Sequence, residues 1–341
     1  MKVDARLDVS TIDEMTTAVR QREVEGYAGL WTSETSHDPF LPLMVAAQHT
    51  ESIQIGCAVA VAFARNPMTI ANLAHDLQMY SCGRFTLGLG TQVKPHIERR
   101  FSMPWSHPAE RMTEFVLAVR AILNAWETGK PLAFEGKFYS HTLMTPMFTP
   151  SAHGYGPPQI IMAGVGERMI EAAGSTADGI LLHAFSTPDY IRQCVLPLVS
   201  RGLATRGGSR EDFEISCRGF LVTGRDEREL NMAKEAVRER IAFYGSTPAY
   251  RPVLEHHGWG ALGEQLHGLS KSSDVDRWTK MAGLVDDDVV NTFAVVAEPD
   301  RAGLEITRRY VGVADRFWFY TPYAVTPDVL SSIARSIQSN A

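Results

Sequence analysis

GRFTLGLGTQ, Gly83 to Gln92, is the stretch on which the fold turns. Phe85, Leu87 and Leu89 alternate with Thr86, Gly88 and Gly90 at the period of a buried strand, and the run then stops in small and polar residues. Chemistry in parallel α/β folds gathers at such strand ends. The missing side chains at Gly88 and Gly90 are expected to leave backbone open to something flat and close. IIMAGVGERMIEAAG, Ile160 to Gly174, repeats the pattern, with Gly164 and Gly166 ahead of a helix whose first N–H groups suit an anion. On local sequence, Gly164 to Glu167 reads equally well as a plain glycine turn.

Outward from these two stretches the chain alternates strand and helix. VDARLDV from Val3 reads as a strand, and Thr11 to Gly26 as a helix with a Ser10/Thr11 start, an acidic first turn and a glycine stop. Strand Ala28 to Glu34, helix Leu41 to Thr50, the nearly continuous apolar strand IQIGCAVAVAF and helix Pro67 to Tyr80 lead into the opening stretch. From Phe101 to Pro158 the pattern loosens around an amphipathic helix, Glu110 to Glu127, and reads as an insertion over the active face. Alternation resumes with strand QIIMAG, helix Arg168 to Ala173, strand ADGILLH ending at His183, a helix from Pro188 to Arg201, strand EISCRGFLVTG and a helix from Asp226 to Tyr244. Thr247 to Asp288 is a second, helical excursion, after which helix Pro299 to Tyr310 and strand DRFWFY close the pattern. About eight strands result, the number that closes a (β/α)8 TIM barrel of the α/β class, here as a single domain over residues 1–341 with insertions near 101–158 and 247–288. Periodicity alone leaves a doubly wound open sheet as the competitor.

Composition narrows the classes. With 45% hydrophobic and 21% charged residues and a formal net charge of −6, the 341-residue chain reads as an ordinary globular protein for which neither nucleic acid nor an anionic membrane is the expected partner. The N-terminal MKVDARLDVS has no signal-like apolar core, and CAVAVAFA from Cys57 is too short to span a bilayer, so a soluble cytoplasmic protein is expected. Four scattered cysteines without a C-x-x-C pair fit free thiols. Eleven histidines without an H-E-x-x-H or finger spacing give no reason to expect a metal. The G-x-S-x-G elbow, the P-loop and G-x-G-x-x-G are all missing; Met169 stands at the third glycine position of the last.

On a barrel, the residues after each strand share the active face. These are Asp8; Glu34, Thr35, Ser36 and His37; the Ala58–Val59–Ala60 region; Gly90 to Gln92; Gly164 to Glu167; and His183. Glu34 reads either as a residue under a cofactor or as a cap on the helix that follows. His37 and His183 read as proton or hydrogen-bond donors by position, or as satisfied structural histidines. Lys94, His96, Arg99 and Arg100, with Arg65, make a basic cluster that suits an extended anionic ligand or is simply a solvated face.

The ordered set AGLWTSETSHDPF, IQIGCAVAVAFARNPMTIANLAHDLQMYSCGRFTLGLGTQVKPHIERRF, PPQIIMAGVGERMIEAAGSTADGILLH and EPDRAGLEITRRYVGVADRFWFY resembles the bacterial luciferase-like superfamily over nearly the whole chain. In particular it is similar to oxidoreductases dependent on the deazaflavin coenzyme F420. The S-x-G-R-F-x-L-G-L-G block with the downstream A-D-G is the most specific part. The resemblance implies a barrel with insertions, often a homodimer, and a flavin-type ring across the barrel mouth. Ring contacts then fall on Glu34, Thr35, Ala58, Val59, Gly90 and Thr91 with His96 beyond, the Ala58–Val59 region being where the family often has a bulge and a non-prolyl cis peptide. Phosphate falls on the N–H groups of Gly164, Val165 and Gly166. The family's sugar-phosphate dehydrogenases carry a histidine where this chain has Thr35 and a glutamate where it has Val93, so that substrate class is not expected.

The expected activity is hydride transfer between F420 and a small organic substrate, with Glu34, His37 and His183 as candidate catalytic residues and Trp105, His107, Tyr155 and Trp259 as substrate walls. The close alternative is an oxygen-using monooxygenase that takes reduced FMN. A basic path at Lys94, Arg99 and Arg100 suits the acidic tail of F420 and is superfluous for FMN. A barrel that only carries a cofactor is the non-enzymatic reading.

Overall fold

The computed structural model describes residues 1–339. Its core strands are β1 (Lys2–Arg6), β2 (Gly29–Thr32), β3 (Gln54–Cys57), β4 (Phe85–Gly90), β5 (Gln159–Gly164), β6 (Gly179–Leu182), β7 (Glu214–Val222) and β8 (Arg316–Tyr320). They form the closed eight-stranded parallel barrel of a (β/α)8 fold, not an open sheet. Short strands at Ala60–Val61 and Ala294–Val296 lie beside β4 and β7 respectively. Contacts divide the chain into two compact units: residues 5–181 with 198–214, and residues 1–4 with 182–197 and 215 onward.

In the first of these units β2 pairs with β3 (Trp31 opposite Gly56), β3 with β4 (Gly56 opposite Thr86) and β4 with β5 (Leu89 opposite Met162). The apolar stretch IQIGCAVAVAF is not one continuous strand. β3 stops at Cys57, and the chain rejoins β4 at Ala60 opposite Leu89, so four residue steps on one strand face three on the other. One extra residue in a ladder is a β-bulge, which bends the strand that carries it. Hydrophobicity cannot show such a break because every residue involved is small and apolar.

Local chemistry sets the helix ends as read. Thr11 and Glu14 make a capping box at Ile12–Val24, and Gly26 follows at φ +84°. Asn66 caps Pro67–Tyr80 by accepting from Thr69 N–H at 3.0 Å. Helix Pro108–Thr128 packs against Pro67–Tyr80 and Glu167–Thr176, so it belongs to the barrel's helical layer. The expected insertion outside that helix is therefore confined to 101–107 and 129–158.

The second unit holds β7 and β8, in register at Cys217 and Phe317, with Lys2–Asp4 of β1 beside Arg316–Trp318. Arg316 grips Asp4 with two parallel hydrogen bonds, Nε to Oδ2 at 2.7 Å and a terminal nitrogen to Oδ1 at 2.5 Å. Both side chains are buried, at 1% and 0% exposure, so each charge depends on the other. The chain from 247 to 288 is helical as expected, with helices at Arg251–His256, Gly260–Ser270, Arg277–Gly283 and Asp287–Phe293. The helix expected from Pro188 contains a π-helical turn, Ile191–Val195, and runs on to Thr205. Helix Pro327–Ser339 and strand Ala294–Val296 are additions to the sequence reading, the strand being too short to show a period.

Asp4→Ala leaves the Arg316 guanidinium buried without its carboxylate and is expected to cost about 3–5 kcal/mol. Asp4→Leu combined with Arg316→Met should lose clearly less; urea denaturation of both variants makes the comparison, and equal losses would show that packing rather than charge pairing dominates there.

Candidate active site

The end of β2 holds the bulge that follows β3. The Ala58–Val59 peptide is cis, at the positions the family resemblance implies. Ser33 Oγ donates to Ala58 O at 2.9 Å, Glu34 N–H donates to Val59 O at 3.3 Å, and Ala58 N–H donates to Thr32 O at 2.6 Å. The Glu34 side chain is only 6% exposed and its carboxylate accepts from Val61 N–H at 2.7 Å and from the Arg65 guanidinium at 2.6 Å. Helix capping falls to Asp38 instead, whose Oδ1 accepts from Phe40 N–H at 2.8 Å and Leu41 N–H at 3.3 Å. Asp38 also takes the other arm of Arg65, at 3.1 Å. Arg65 is thus neutralised by two carboxylates and is no part of a free basic path.

The glycines of β4 make room for the bulge. A Cβ on Gly88 would stand 1.8 Å from Cys57 O, and one on Gly90 would stand 2.6 Å from Val59 Cγ2. The expectation that these positions bare backbone for a flat group is therefore corrected: the space is filled by the neighbouring strand. Cys57 Sγ–H donates to Gly88 O at 3.2 Å, and burial pushes its thiol pKa up to about 12, which keeps the donor protonated. Thr91, the first residue beyond the close contact, is half-buried, and its hydroxyl donates to Gln92 O at 2.8 Å.

Gly164 and Gly166 separate into two roles. A Cβ on buried Gly164 would meet Ile180 Cδ1 at 2.9 Å, so its smallness serves packing. Gly166 is the N-cap of Glu167–Thr176 at φ +83°, makes no side-chain cap, and has open space where a side chain would start. The first N–H groups of that helix have no intrahelical acceptor, as at any helix start. Val165, 42% exposed, stands beside them. A Cβ on Gly90 would lie 3.7 Å from Ala163 Cβ, so the ends of β4 and β5 are side by side. Glu34 and Thr35, Ala58 and Val59, Gly90 and Thr91, and Gly164 to Gly166 thus follow one another along the carboxyl ends of β2 to β5.

His37 is exposed and lines a cleft of about 170 Å³ with Arg6, Asp8, Ser33 and Thr35. His96 is exposed on the short helix Lys94–Arg99. Arg100 donates to Thr35 O at 2.8 Å, and Lys94 stands 3.8 Å from Glu98. Val93, 54% exposed, precedes that helix as its N-cap residue. Trp105 packs edge-on against Phe63 at 5.5 Å, and His107 is the left-handed residue that starts helix Pro108–Thr128.

His183 belongs to the second unit. It lies between Tyr244, edge-on at 4.5 Å, and Tyr250, stacked at 4.6 Å. Phe185 N–H donates to its Nδ1 at 3.1 Å, which assigns the proton of the neutral ring to Nε2. Burial, reinforced by the Arg218 charge, holds its pKa down to about 4. The ring is therefore neutral near pH 7 and offers a hydrogen bond from Nε2, not the proton of an imidazolium. Tyr244 and Tyr320 share a hydroxyl contact at 2.9 Å, and Arg218 lies 4.0 Å from the centre of the Tyr320 ring. Strand-end reasoning could have reached Tyr320, the last residue of β8; Tyr244 and Tyr250 carried no signal before folding.

With that geometry, the comparisons with known proteins are specific. The chain belongs to the luciferase-like monooxygenase family, whose model matches residues 1–315. An uncharacterised protein of Mycobacterium tuberculosis is 53% identical over 294 residues, 86% of each chain. The 5,10-methylenetetrahydromethanopterin reductase of Archaeoglobus fulgidus is 25% identical over 84% of this chain and 83% of its own. Among solved structures, the coenzyme F420 dependent tetrahydromethanopterin reductase of Methanopyrus kandleri superposes with a TM-score of 0.79, at 18% identity, over 100% of this chain and 98% of its own. The EDTA monooxygenase of Chelativorans sp. BNC1 superposes at 0.73 with 15% identity over 100% and 94%. An oxidoreductase or monooxygenase is the kind of enzyme these relatives define. No helix among the described residues is long and apolar enough to cross a membrane.

Glu34→Ala removes the acceptor for Val61 N–H and half the charge partnership of Arg65, and is expected to cost about 2–3 kcal/mol in urea denaturation. Glu34→Gln, which keeps an acceptor for Val61, should lose less; equal losses would mean that the hydrogen bond contributes nothing. His183 yields a pH test. Its folded pKa lies below the ordinary 6.5, so as pH falls from about 6.5 to about 4 the unfolded chain gains a proton that the folded chain refuses. Stability from this group is complete above that window and lost through it. His183→Phe should flatten the dependence of the urea midpoint on pH between 6.5 and 4, whereas an unchanged slope would show that the ring titrates normally.

Proposed function

We propose that this chain is an oxidoreductase that transfers a hydride between coenzyme F420 and a small organic substrate. One observation carries the reading: the carboxyl ends of β2 to β5 align the bulge at Ala58–Val59, the Gly90–Thr91 strand end and the uncapped helix start at Gly166. A ring and a phosphate on one ligand need such a row, with a firm apolar edge at one end and free N–H donors at the other. The residues fit the group. Gly166 leaves open space at the helix start, and the bulge is clamped by Ser33 and Glu34.

When bound, F420 would supply a carbon, C5, that gives or takes the hydride. The chain's own part is binding and orientation. Ala58, Val59, Gly90 and Thr91 border the ring; Glu34 acts through the bulge as a positioning residue, because both contacts of its carboxylate go to Val61 and Arg65. Val165, Gly166 and the first helical N–H groups receive the phosphate. Lys94, His96 and Arg99, exposed on the helix after β4, favour the acidic tail of F420. His37 is the candidate donor toward substrate; His183, in the other compact unit, offers a neutral hydrogen bond from Nε2.

The alternative, a monooxygenase using reduced FMN, shares the ring and phosphate positions but has no use for the basic helix. Parallel titrations of the purified protein with F420 and FMN, followed by ligand fluorescence, separate the two. Saturable 1:1 F420 binding is expected, and Lys94→Glu with Arg99→Glu should weaken it roughly 3- to 10-fold while leaving FMN binding unchanged. Tight FMN binding without F420 binding would overturn the proposal in favour of the monooxygenase.

A further inference from the structure

The adjacent pair His256–His257 ends one helix of the 247–288 excursion and carries no motif of its own. Folding brings it to Asp189, at the start of the helical segment after β6. The three residues each offer a ligand atom within 4.8 Å of the others, the one such cluster of three or more His, Cys, Asp or Glu among the described residues. His256 Nε2 and Asp189 Oδ2 are 2.8 Å apart. All three side chains belong to the same compact unit.

What lies behind these groups argues for a site. Ligating histidines normally engage their other ring nitrogen with a second group that fixes tautomer and orientation. His257 Nε2 meets Thr187 Oγ1 at 2.8 Å, a contact that fixes the ring's orientation. His256 Nδ1 meets Cys194 Sγ at 3.7 Å, leaving Nε2 toward Asp189. Both rings are therefore held from behind, and Cys194 sits on the π-helical turn Ile191–Val195, a local departure from helical spacing.

We propose that Asp189, His256 and His257 form a binding site for one divalent transition-metal ion, with Thr187 and Cys194 as the groups that orient the two imidazoles. Two imidazoles and a carboxylate suit zinc, cobalt or iron(II) rather than calcium or magnesium. Tetrahedral bonds of about 2.0–2.2 Å set ligand atoms roughly 3.4 Å apart, so His256 Nε2 and Asp189 Oδ2, now 2.8 Å apart, open to admit the ion. The ion takes the place of the proton between His256 Nε2 and Asp189 Oδ2, and the neutral ring then carries its proton on Nδ1, against Cys194 Sγ. Entry is through the open cleft lined by Thr187, Asp189, Arg192, Thr292, Arg308 and Arg309. Its guanidinium groups favour hydroxide or another anion in the fourth position. The ion would tie the helix Arg251–His256 to the segment after β6, so its expected effect is to hold the helical excursion in place.

The test uses the full chain, stripped with EDTA and desalted. Titration with Zn(II) in a calorimeter and with Co(II) by visible absorption should show one ion per chain, a Co(II) spectrum of a site with fewer than six ligands, and a raised melting temperature with Zn(II). His257→Ala and Asp189→Asn should each weaken Zn(II) binding at least 10-fold. His256→Ala with His257→Ala should abolish both the spectrum and the thermal shift, while its metal-free circular dichroism and melting match those of the unaltered chain. No binding by the unaltered chain, an octahedral Co(II) spectrum, or binding that survives in the folded double variant would each overturn the proposal.

Discussion

At Gly88 the carbonyl oxygen of Cys57 occupies the place where any other residue would carry its side chain, 1.8 Å from an ideal Cβ. That contact brings β3 down onto β4 where the ladder gains its extra residue, and the row of strand ends beyond it takes its shape from there. Val59 comes to rest against Gly90, Val61 turns its N–H toward Glu34, and Arg65 is placed where Glu34 and Asp38 both reach it. An alanine at position 88 would force the two backbones apart. Since cores pack without spare volume, the displacement would pass to every contact downstream.

Much of the polar equipment near the strand ends is spent on architecture. Glu34, Ser33, Arg65 and Asp38 hold one another and the bulge, and Arg100 holds the Thr35 carbonyl. What is left for a ligand is mainly backbone: the N–H groups at Gly166, the exposed face of Val165 and the edge formed by Val59, Gly90 and Thr91. On the proposed reading, such a surface would recognise shape and a phosphate more than a pattern of charged side chains. Family members named for different chemistries on one fold are consistent with that economy, since selectivity would reside in the variable segments after the strands.

The second unit follows another logic. His183 is kept neutral by its surroundings, between two tyrosines whose hydroxyls burial holds protonated, with Tyr250 pushed up to about 12. These three rings therefore all stay uncharged near pH 7. Elsewhere in the unit Asp4 and Arg316 confine their charges to each other, which adds direction to an otherwise apolar layer between β1 and β8.

Alternation of apolar strand and amphipathic helix, with Thr11, Asn66 and Pro67 marking helix starts, made the elements legible in the sequence, because these signals act over a few residues; it took the family resemblance to favour the barrel over an open sheet. QIIMAG at β5 and the helices at Pro67–Tyr80 and Pro299–Tyr310 have the bounds that period and caps imply. The bulge at Ala58–Val59 was legible only through family resemblance, since its residues are as apolar as an unbroken strand. Two roles required the folded chain. Gly88 and Gly90 look like vacancies for a ligand until the neighbouring strand is seen to fill them. Glu34 reads as a residue under a cofactor or a helix cap until its carboxylate is found accepting from Val61 and Arg65. His183 acquired its neutral charge, and Asp189 its two histidines, from residues tens of positions away. Period and capping are written in neighbouring residues, whereas desolvation, charge pairing and close backbone approach arise between segments that meet only after folding.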